Sequence, residues 1–517
     1  MSKDNQSNHS SQDLATFAKK KGFIYPSSEI YGGLAGFYDY GHLGTMLKHN
    51  FQNVWRKFFL DLNQNFYEIE TANIMHKNVF KASGHLENFA DPIVHCAKLA
   101  KNKNCDWSAR ADHLLEEHTK QRAEDLTSEQ LTTAIKKADL KCPECNSELQ
   151  DVETMNMMFP VNLGVGSKGS GYLRPETAQS PYVNFKAQYE LQRKKLPMGL
   201  ALIGRAYRNE ISPRNLTIRL REFTQAELQI FFNPNLIEEH EDFESIKDVK
   251  IQTLLLEDRK TNKIVQRSAS ELVTKHNLPK FYIYHLVKIQ EFYLNHLKIP
   301  KTHIRFYQLN DKEKAFYNKF HFDIEADLNT HGWTEIGGLH YRTDHDLSGH
   351  QKVSKTKMEI FDEQSKQKFI PHVLELSFGV DRNVYTLLDL NYQKDQKENK
   401  DARGNDVLNL PKSVTPFTAA VLPLVKNKQP ITNKAKEVLK LLKDNNVKTF
   451  YDEVSSIGRR YARADEAGIK YAITIDFDTL ALDEDSDPKL KDTVTVRDRN
   501  TSEQTRVKIT DLIKEIS

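Results

Sequence analysis

The stretch from Leu202 to Phe232, LIGRAYRNEISPRNLTIRLREFTQAELQIFF, predicts two β-strands joined by a polar loop. Side chains of a strand alternate between its two faces, so Arg221, Phe223 and Glu227 share one face of the second strand. Such a face suits a nucleoside triphosphate, because a guanidinium pairs with phosphate, a ring stacks on a base and a carboxylate holds an amine or a metal. An exposed hairpin with an ordinary salt-bridged face is the alternative interpretation.

The bulk composition is that of a globular protein with a polar surface and roughly three domains in its 517 residues. Hydrophobic residues make up 38% of the chain, and no apolar run is long enough to cross a bilayer. The N-terminus lacks the apolar core of a signal peptide, which favours the cytoplasm, and residues 1–12 are rich in Ser, Asn and Gln, which predicts a disordered tail. The net charge is only +3, so any surface that binds nucleic acid must be local.

All four cysteines, Cys96, Cys105, Cys142 and Cys145, fall in one window. Cys142 and Cys145 have the two-residue spacing of a metal knuckle, whereas Cys96 and Cys105 do not have a standard spacing. A disulfide framework is not expected in a large cytosolic protein. The sequence leaves open a structural zinc site and four reduced thiols.

Two further patterns resemble ligand motifs but lack the required context. Gly164-Val-Gly166-Ser-Lys-Gly169 matches the dinucleotide-binding fingerprint, yet Pro175 blocks the helix that should follow, which indicates a connection between two strands. The histidines between His331 and His350 have spacings that fit no common metal motif.

Other candidate ligand-binding residues lie further along the chain. In HGWTEIGGL, Glu335 lies on a predicted strand and is followed by Gly337-Gly338, where a ligand could approach the backbone. In PHVLELSFGVDRNVYTLLDL, Glu375 and Ser377 share a strand face, and Arg382 falls in the first turn of a helix. Free amides and the helix dipole favour an anion at that position.

The remaining segments indicate the domain organisation. Residues 233–329 are rich in Lys, Tyr and Phe and predict an insertion, with a strand near 250–256 and helices near 280–297 and 311–319. Residues 392–406 predict a linker, and from 415 onward strands alternate with helices in a compact α/β domain.

Several long sequence strings identify a protein family more specifically than composition or periodicity does. GGLAGFYDYGHLG, RAYRNEISPR with REFTQAE, and GVDRNVYTLL are similar to the three motifs of class II aminoacyl-tRNA synthetases, and KASGHLENFADP, RADHLLE, LRPETAQ and ELSFGVDR are similar to glycyl-specific signatures. The chain therefore resembles the dimeric glycyl-tRNA synthetases over nearly its whole length. Two features depart from the family: His42 stands where proline is common, and the Cys96–Cys105 arm is longer than in relatives with two close knuckles.

The resemblance implies an α+β fold. Residues 13–405 would form the class II catalytic domain, an antiparallel sheet flanked by helices, with insertions at 96–145 and 233–329. Residues 406–517 would form an α/β anticodon-binding domain. Glycine and ATP would give glycyl adenylate and pyrophosphate, and glycine would then pass to the 3′-terminal adenosine of tRNA-Gly. A homodimer is expected, with no membrane or DNA partner.

The resemblance also implies roles at an ATP site. Arg208 would hold the α-phosphate, Arg382 the γ-phosphate end, and Phe223 would stack on adenine. Glu335 would hold Mg²⁺, with help from Glu210 or, through water, from Ser377. The full set of ATP-binding candidates is Arg208, Asn209, Glu210, Ile218, Arg219, Leu220, Arg221, Glu222, Phe223, Glu335, Ile336, Gly379, Val380, Asp381 and Arg382, of which Arg208, Arg382 and Glu335 are the catalytic candidates.

Glycine has no side chain to grip, and a missing methylene is worth only roughly 1–3 kcal/mol of discrimination. A glycine site must therefore bind the ammonium group strongly and fill the space where a Cβ would point. The implied glycine-binding candidates are Arg110, Glu176, Phe223, Thr224, Gln225, Ala226, Glu227, Glu375, Leu376, Ser377, Phe378 and Gly379, with Arg110 for the carboxylate and the glutamates for the ammonium. The tRNA-binding candidates are Arg214, Arg459, Arg460 and Arg463.

Two other functions fit part of this pattern. The first is a synthetase-like subunit that binds nucleic acid without catalysis, as in the accessory subunit of the mitochondrial DNA polymerase. Such a protein has no reason to keep Arg208, Glu210 and Arg382 together. The second is a synthetase for alanine or serine, which the converging carboxylates disfavour.

Overall fold

The computed structural model describes residues 9–98, 105–119, 123, 126–164, 169–211, 213, 216–315, 317–363, 365–395, 405–482 and 487–516. Among these residues, a nine-stranded sheet forms the centre of the molecule. Its strands are β1 (Phe66–Glu68), β2 (Met198–Tyr207), β3 (Glu222–Phe232), β4 (Lys250–Leu254), β5 (Val265–Ser268), β6 (Ile304–Gln308), β7 (Phe320–Leu328), β8 (Gly332–Thr343) and β9 (His372–Gly379).

The spatial order of the strands is β5-β4-β6-β7-β8-β9-β3-β2-β1. Every pair from β6 to β2 is antiparallel, and only the outer pairs β4–β6 and β2–β1 are parallel. The expected α+β fold on an antiparallel sheet is confirmed. The hairpin predicted from residues 202–232 is the pair β2–β3, with Ala206 opposite Phe223 and Leu202 opposite Glu227.

Helices cover the sheet unequally on its two faces. The main helices are α1 (His42–Leu60), α2 (Gln179–Leu191), α3 (Lys280–Glu291), α4 (His345–Ser354) and α5 (Val380–Asn391). The face that carries Leu228, Leu376 and Phe378 forms the large apolar core, to which α1, α3 and α5 contribute. On the other face, Tyr182 of α2 and Leu347 of α4 belong to a smaller cluster, and polar residues line the middle of the strands.

The segment 233–329 extends this sheet, since it supplies β4 to β7, and α3 adds fully buried residues to the core. The helix predicted at 311–319 is wrong, because the described residues there form turns. The side chain of Asn310 accepts hydrogen bonds from the backbone N–H groups of Lys312 (2.9 Å) and Glu313 (3.1 Å), and its carbonyl accepts from Lys314 at 3.0 Å, so the chain makes a single turn at this position.

Two small sheets surround the cysteine window. One joins Ala90–His95 to Ser108–Arg110 and Glu153–Asn156, with helices Ala111–Thr119 and Ser128–Lys137 beside it. The other pairs Pro160–Leu163 with Gly169–Leu173. The glycine-rich segment that begins at Gly164 therefore connects two antiparallel strands, as predicted. Residues 165–168 lie outside the described part.

The C-terminal region has its own five-stranded sheet, formed by Ala419–Pro423, Thr449–Tyr451, Tyr471–Ile475, Thr493–Asp498 and Gln504–Lys508. Helices Gln429–Asp444, Ile457–Glu466 and Leu512–Ile516 accompany it, and it has a separate apolar core. The region contacts the larger body through side chains such as Asn50, whose Nδ2 donates to the carbonyl of Thr415 at 2.7 Å.

The prediction of a disordered tail is wrong for residues 9–12. A helix spans Ser11–Lys21, and the Ser10 hydroxyl accepts from the Asp13 amide at 3.1 Å in a capping box. Residues 9–12 are therefore part of the fold, while residues 1–8 lie outside the described part. Over the described residues, no helix combines the length and apolar composition needed to cross a bilayer.

Candidate active site

A cavity opens on the polar face of the sheet, where β3 begins, β9 ends and α5 starts. It brings together most of the predicted ATP-binding residues with five of the predicted glycine-binding residues, two of which were predicted for both ligands. Its lining comprises Arg208, Glu210, Thr217, Ile218, Arg219, Leu220, Phe223, Thr224, Gln225, Glu335, Ile336, Gly337, Ser377, Gly379, Asp381 and Arg382. Thr217 was not predicted, and Gly337 was predicted only as a position where a ligand could approach the backbone.

Arg208 follows β2 and is held firmly at one side of the cavity. Its Nε donates to the carbonyl of Pro175 at 3.0 Å, and its backbone N–H donates to Arg221 at 2.9 Å. The guanidinium carbon lies 5.3 Å from the centre of the Phe223 ring and 5.4 Å from that of Phe89. Two aromatic rings thus flank the cation, and Phe89 was missed because nothing in its local sequence indicates this contact.

Arg382 and Glu335 lie together at the other side of the cavity. Nη1 of Arg382 lies 3.0 Å from the Glu335 carboxylate and donates to the Glu335 carbonyl at 3.0 Å, while Nε donates to Ile218 at 3.0 Å. The surrounding protein disfavours a charge on Glu335, but the guanidinium groups of Arg382 and Arg208 outweigh this and lower its pKa. A carboxylate that is ionised at neutral pH and 53% exposed therefore borders the cavity.

Asp381 was predicted to contact ATP, but its carboxylate is engaged within the protein. It accepts hydrogen bonds from Lys48 Nζ (2.7 Å), the Tyr40 hydroxyl (2.5 Å) and the Thr224 amide. Burial opposes ionisation, yet the charge of Lys48 and these donors keep the pKa of Asp381 below its ordinary value. Asp381 borders the cavity, but its carboxylate fixes the start of α5 to Tyr40, to Lys48 and to the backbone of Thr224.

Four other predicted ATP-binding residues make contacts within the protein instead of lining the cavity. Arg221 donates to the carbonyls of Glu210 (2.9 Å) and Ala35 (3.2 Å), and the Asn209 amide donates to Met157 at 2.7 Å. Glu222 lies 3.6 Å from Arg205, and Val380 is buried in the core. None of these four side chains is among the groups that line the cavity in the described part of the chain.

The predicted glutamates converge, but a cation that was not predicted lies among them. Arg342 of β8 donates to Glu375 at 3.1 Å and lies 3.5 Å from Glu176, and its Nε donates to Asp346 of α4 at 2.8 Å. Burial opposes the ionised forms of Glu176 and Glu375, but the charge of Arg342 outweighs it and lowers the pKa of both. These two carboxylates thus already have a cationic partner within the protein.

Period-two alternation along β8 could have found Arg342, because Gly338, His340 and Arg342 share a face. His340 Nδ1 contacts the Glu375 carboxylate, and a Cβ on Gly338 would collide with the His340 ring. The absent side chain at Gly338 therefore makes room for a histidine of the protein. A Cβ on Gly337 would likewise collide with the Ser377 carbonyl.

Glu227 differs from the other two glutamates. It accepts hydrogen bonds from the hydroxyls of Thr177 (2.6 Å) and Ser377 (2.8 Å), and no cationic side chain of the described residues pairs with it. Burial, together with the charges of Glu375 and Glu176, raises the pKa of Glu227 to about 8. A buried carboxyl group without a counter-ion is suited to receive a ligand ammonium group.

Four predicted glycine-binding residues point to the wrong face of the sheet. Leu376 and Phe378 are buried in the large core, as is Ala226, and the hydroxyl of Thr224 accepts from Lys48 at 2.8 Å. Successive side chains of a strand alternate, so the neighbours of Gln225, Glu227 and Ser377 must face away from the cavity. Only their backbone can contribute to it.

Arg110, predicted to bind the glycine carboxylate, pairs with acidic groups of its own subdomain. Its Nη2 lies 2.5 Å from Asp112 and its Nη1 lies 3.3 Å from Asp91. It does not line the cavity over the described residues. The structure therefore does not support direct contact with glycine in this conformation.

The four cysteines converge as the clustered spacing suggested. Cys96 and Cys145 have sulfur atoms 3.4 Å apart, those of Cys105 and Cys142 are 3.6 Å apart, and all four lie within 4.8 Å of one another. Tetrahedral zinc with Zn–S bonds of about 2.3 Å needs sulfur atoms roughly 3.8 Å apart. The residues present fit a Cys₄ zinc site.

The predicted tRNA-binding arginines divide into three kinds. Arg214 lies outside the described residues. Arg460 is buried and donates to backbone carbonyls, including that of Ser455 at 2.9 Å, so its tRNA role is not supported. Arg463 lies 2.6 Å from Asp452, and Arg459 is exposed on the same helix.

Comparison with known proteins agrees with this geometry. Residues 166–391 match the family described as tRNA synthetase class II core domain (G, H, P, S and T), and residues 418–517 match the anticodon binding domain. The chain is 37% identical to the glycine–tRNA ligase of Pyrococcus abyssi and 36% identical to that of Methanocaldococcus jannaschii, with 97% of each chain covered. For the glycine–tRNA ligase of Methanococcus maripaludis the identity is 33%, over 97% of this chain and 98% of the relative. Fold, site and similarity over the full length together place the chain in the glycine–tRNA ligase family of class II tRNA synthetases.

Proposed function

We propose that the cavity binds ATP between Arg208 and Arg382, and that glycine binds next to this cavity with its ammonium group at Glu227. The chain is an aminoacyl-tRNA ligase that activates glycine with ATP and transfers it to tRNA-Gly. The observation that carries the assignment of the two subsites is Glu227, a buried carboxyl group without a counter-ion next to a cavity flanked by two arginines.

Displacement at the α-phosphate depends on positioning and on neutralising charge more than on proton transfer. Arg208 is the proposed partner of the α-phosphate, because hydrogen bonding and two flanking rings hold it in place. Phe223 is the proposed stacking surface for adenine, and Arg382 the partner of the γ-phosphate end.

Carboxylate oxygens are ligands that Mg²⁺ prefers, and Glu335 and Glu210 both line the cavity. They are the proposed ligands of this ion, which would neutralise phosphate charge when bound. The lowered pKa of Glu335 supports this role, since the ion requires an ionised carboxylate.

Arg342 supports glycine recognition by holding the acidic groups next to Glu227 in place. Its single positive charge is shared by Glu176, Glu375 and Asp346 and offsets only part of their negative charge, so an ammonium group of the substrate is favoured at Glu227. Every amino acid carries this ammonium group, so the ion pair provides affinity, and exclusion of a larger side chain would have to come from the groups that surround the substrate Cα.

The proposals for the zinc site, the domain limits and the tRNA contacts are those that the sequence predicted. Cys96, Cys105, Cys142 and Cys145 are proposed to hold a structural zinc ion, which would stabilise the fold of their subdomain. Residues 13–405 are proposed as the catalytic domain and 406–517 as the anticodon-binding domain, with the exposed Arg459 near RNA. A homodimer, a cytoplasmic location and contact of the loop around Arg214 with the tRNA acceptor end stay predictions.

ATP–pyrophosphate exchange with each amino acid in turn tests the proposed binding of glycine and ATP. Exchange should depend on glycine and be at background with alanine and serine. Exchange with serine or alanine but not glycine would overturn the specificity, and exchange with none would favour a binding subunit that has lost catalysis.

A further inference from the structure

Asp381 joins three segments of the chain behind the cavity. Its carboxylate binds Lys48 of α1, Tyr40 before that helix, and the backbone of Thr224 in β3. Lys48 Nζ also donates to the Thr224 hydroxyl at 2.8 Å. Lys48 and Asp381 form a buried ion pair, with side chains 8% and 3% exposed, on the face of β3 opposite Glu227.

The same helical turn carries Arg382. The Asp381 carbonyl accepts from the Thr217 hydroxyl at 3.1 Å, and Asn383 Nδ2 donates to the Ile336 carbonyl at 2.9 Å. Together with the contacts of Arg382 described above, these bonds fix the start of α5 to the hairpin and to β8. The position of the Arg382 guanidinium therefore depends on how firmly this turn is held.

We propose that Lys48 is a positioning residue for the triphosphate of ATP, acting through Asp381 on Arg382. This inference rests on the proposed role of Arg382 at the phosphate end. Without Lys48, the buried carboxylate of Asp381 would lack its cation, so the turn would have to move or admit water. A displacement of about 1 Å at a group that positions phosphate is enough to weaken its action. Lys48 is not among the described residues that line the cavity, and it belongs to a helix on the far side of the sheet.

The test measures ATP–pyrophosphate exchange by Lys48→Met, with Lys57→Met on the exposed side of the same helix as the matched control. We expect the KM for ATP to rise about tenfold in Lys48→Met, with the KM for glycine and inhibition by AMP changed less than about twofold. AMP lacks the phosphates that Arg382 would hold, so a general loss of structure would weaken AMP and ATP alike. Tyr40→Phe, which removes one hydrogen bond and keeps the charges balanced, should raise the KM for ATP by a smaller factor.

Arg382→Ala, measured in parallel, separates the two proposals. An unchanged KM for ATP in Arg382→Ala would overturn the role of Arg382 itself. If Arg382→Ala raises that KM while Lys48→Met and Tyr40→Phe leave it unchanged, the positioning role of Lys48 is wrong. Equal loss of ATP and AMP affinity in Lys48→Met would also overturn it. Should Lys48→Met fail to fold, Lys48→Arg and Tyr40→Phe provide the same comparison of ATP with AMP.

Discussion

Arg342 Nη1 donates to the carboxylate of Glu375 at 3.1 Å inside the candidate glycine pocket, and both side chains are almost completely buried. The same guanidinium contacts Glu176 and Asp346. One internal cation thus faces three carboxylates and offsets only part of their charge. Of the three glutamates predicted for the ammonium group, Glu227 is the one that does not contact this guanidinium among the described residues. The acidic surroundings favour binding of an ammonium group.

Replacing Arg342 should destabilise the protein. Arg342→Met leaves buried carboxylates without their cation, which typically costs about 3–5 kcal/mol. Urea unfolding measures the change, with Arg459→Met as the control because Arg459 is exposed. A change no larger than that of the control, within about 0.5 kcal/mol, would show that the cluster does not need Arg342.

Glu227→Gln should weaken glycine binding selectively. Loss of a charge-assisted hydrogen bond to the ammonium group should raise the KM for glycine about 10- to 100-fold. The KM for ATP should change little, since Glu227 does not line the cavity assigned to ATP. Exchange kinetics provide both values, and Glu239→Gln, an exposed change of the same kind, is the control. Equal effects on both KM values would contradict a separate glycine subsite.

The raised pKa of Glu227 makes stability depend on pH. Its pKa rises from an ordinary value of 4.5 to about 8 on folding, so the folded state keeps a proton that the unfolded state has lost. The stabilising effect of this proton is complete below pH 4.5 and declines through about pH 8, by at most about 1.4 kcal/mol per pH unit.

Unfolding of wild type and Glu227→Gln at several pH values between about 5 and 8 tests this expectation. The free energy of unfolding of the variant should rise relative to wild type as the pH increases, because glutamine does not titrate. A difference that stays constant with pH would mean that Glu227 is already ionised in the folded protein.

Arg208→Ala should abolish glycine activation while tRNA binding survives. Removing a preorganised charge at the reacting phosphate costs about 10²–10³-fold in rate, so exchange should fall by about that factor. Arg205→Ala, three residues earlier near the end of β2, is the control, because Arg205 is 43% exposed and is not part of the cavity lining. Phe89→Leu should give a smaller loss of exchange by loosening Arg208. Unchanged exchange in Arg208→Ala would contradict its proposed role.

Cys142→Ser should remove the proposed zinc ion. Elemental analysis of the purified wild type should find about one zinc per chain, and the variant far less, because three thiolates bind more weakly than four. The subdomain around the Ala111–Thr119 helix should then unfold at lower temperature. Wild-type protein prepared without chelator that contains much less than one zinc would exclude the site.

The strand faces and the ligand-binding hairpin could be predicted from local sequence. Alternation of side chains placed Phe223, Gln225 and Glu227 together, and the structure has Leu228 and Ile230 in the core on the opposite face. The family motif around Glu375 is a contiguous string and therefore includes Leu376 and Phe378. The side chains of these two residues lie on the opposite face of the strand and point into the core.

Two other assignments came from the family resemblance, and the structure shows internal contacts for the side chains concerned. The charged helix that contains Arg459 and Arg463 was predicted to present all its arginines to RNA, but Arg460 is buried and binds backbone carbonyls. Arg110 was predicted to bind substrate, but it pairs with Asp91 and Asp112. A single sequence does not show which charged side chains neutralise each other.

By itself the sequence determined the family, the strand pairing of residues 202–232 and the clustering of the cysteines, because contiguous strings and short periodicities carry this information. Only the tertiary structure decided which carboxyl group is left for the substrate. Arg342 is more than a hundred residues from Glu176 and Glu227 in the chain, and the pKa of a buried group depends on the charges near it in space. The hairpin of residues 202–232 therefore carries Glu227, but burial and the charges of Glu375 and Glu176 raise the pKa of this residue.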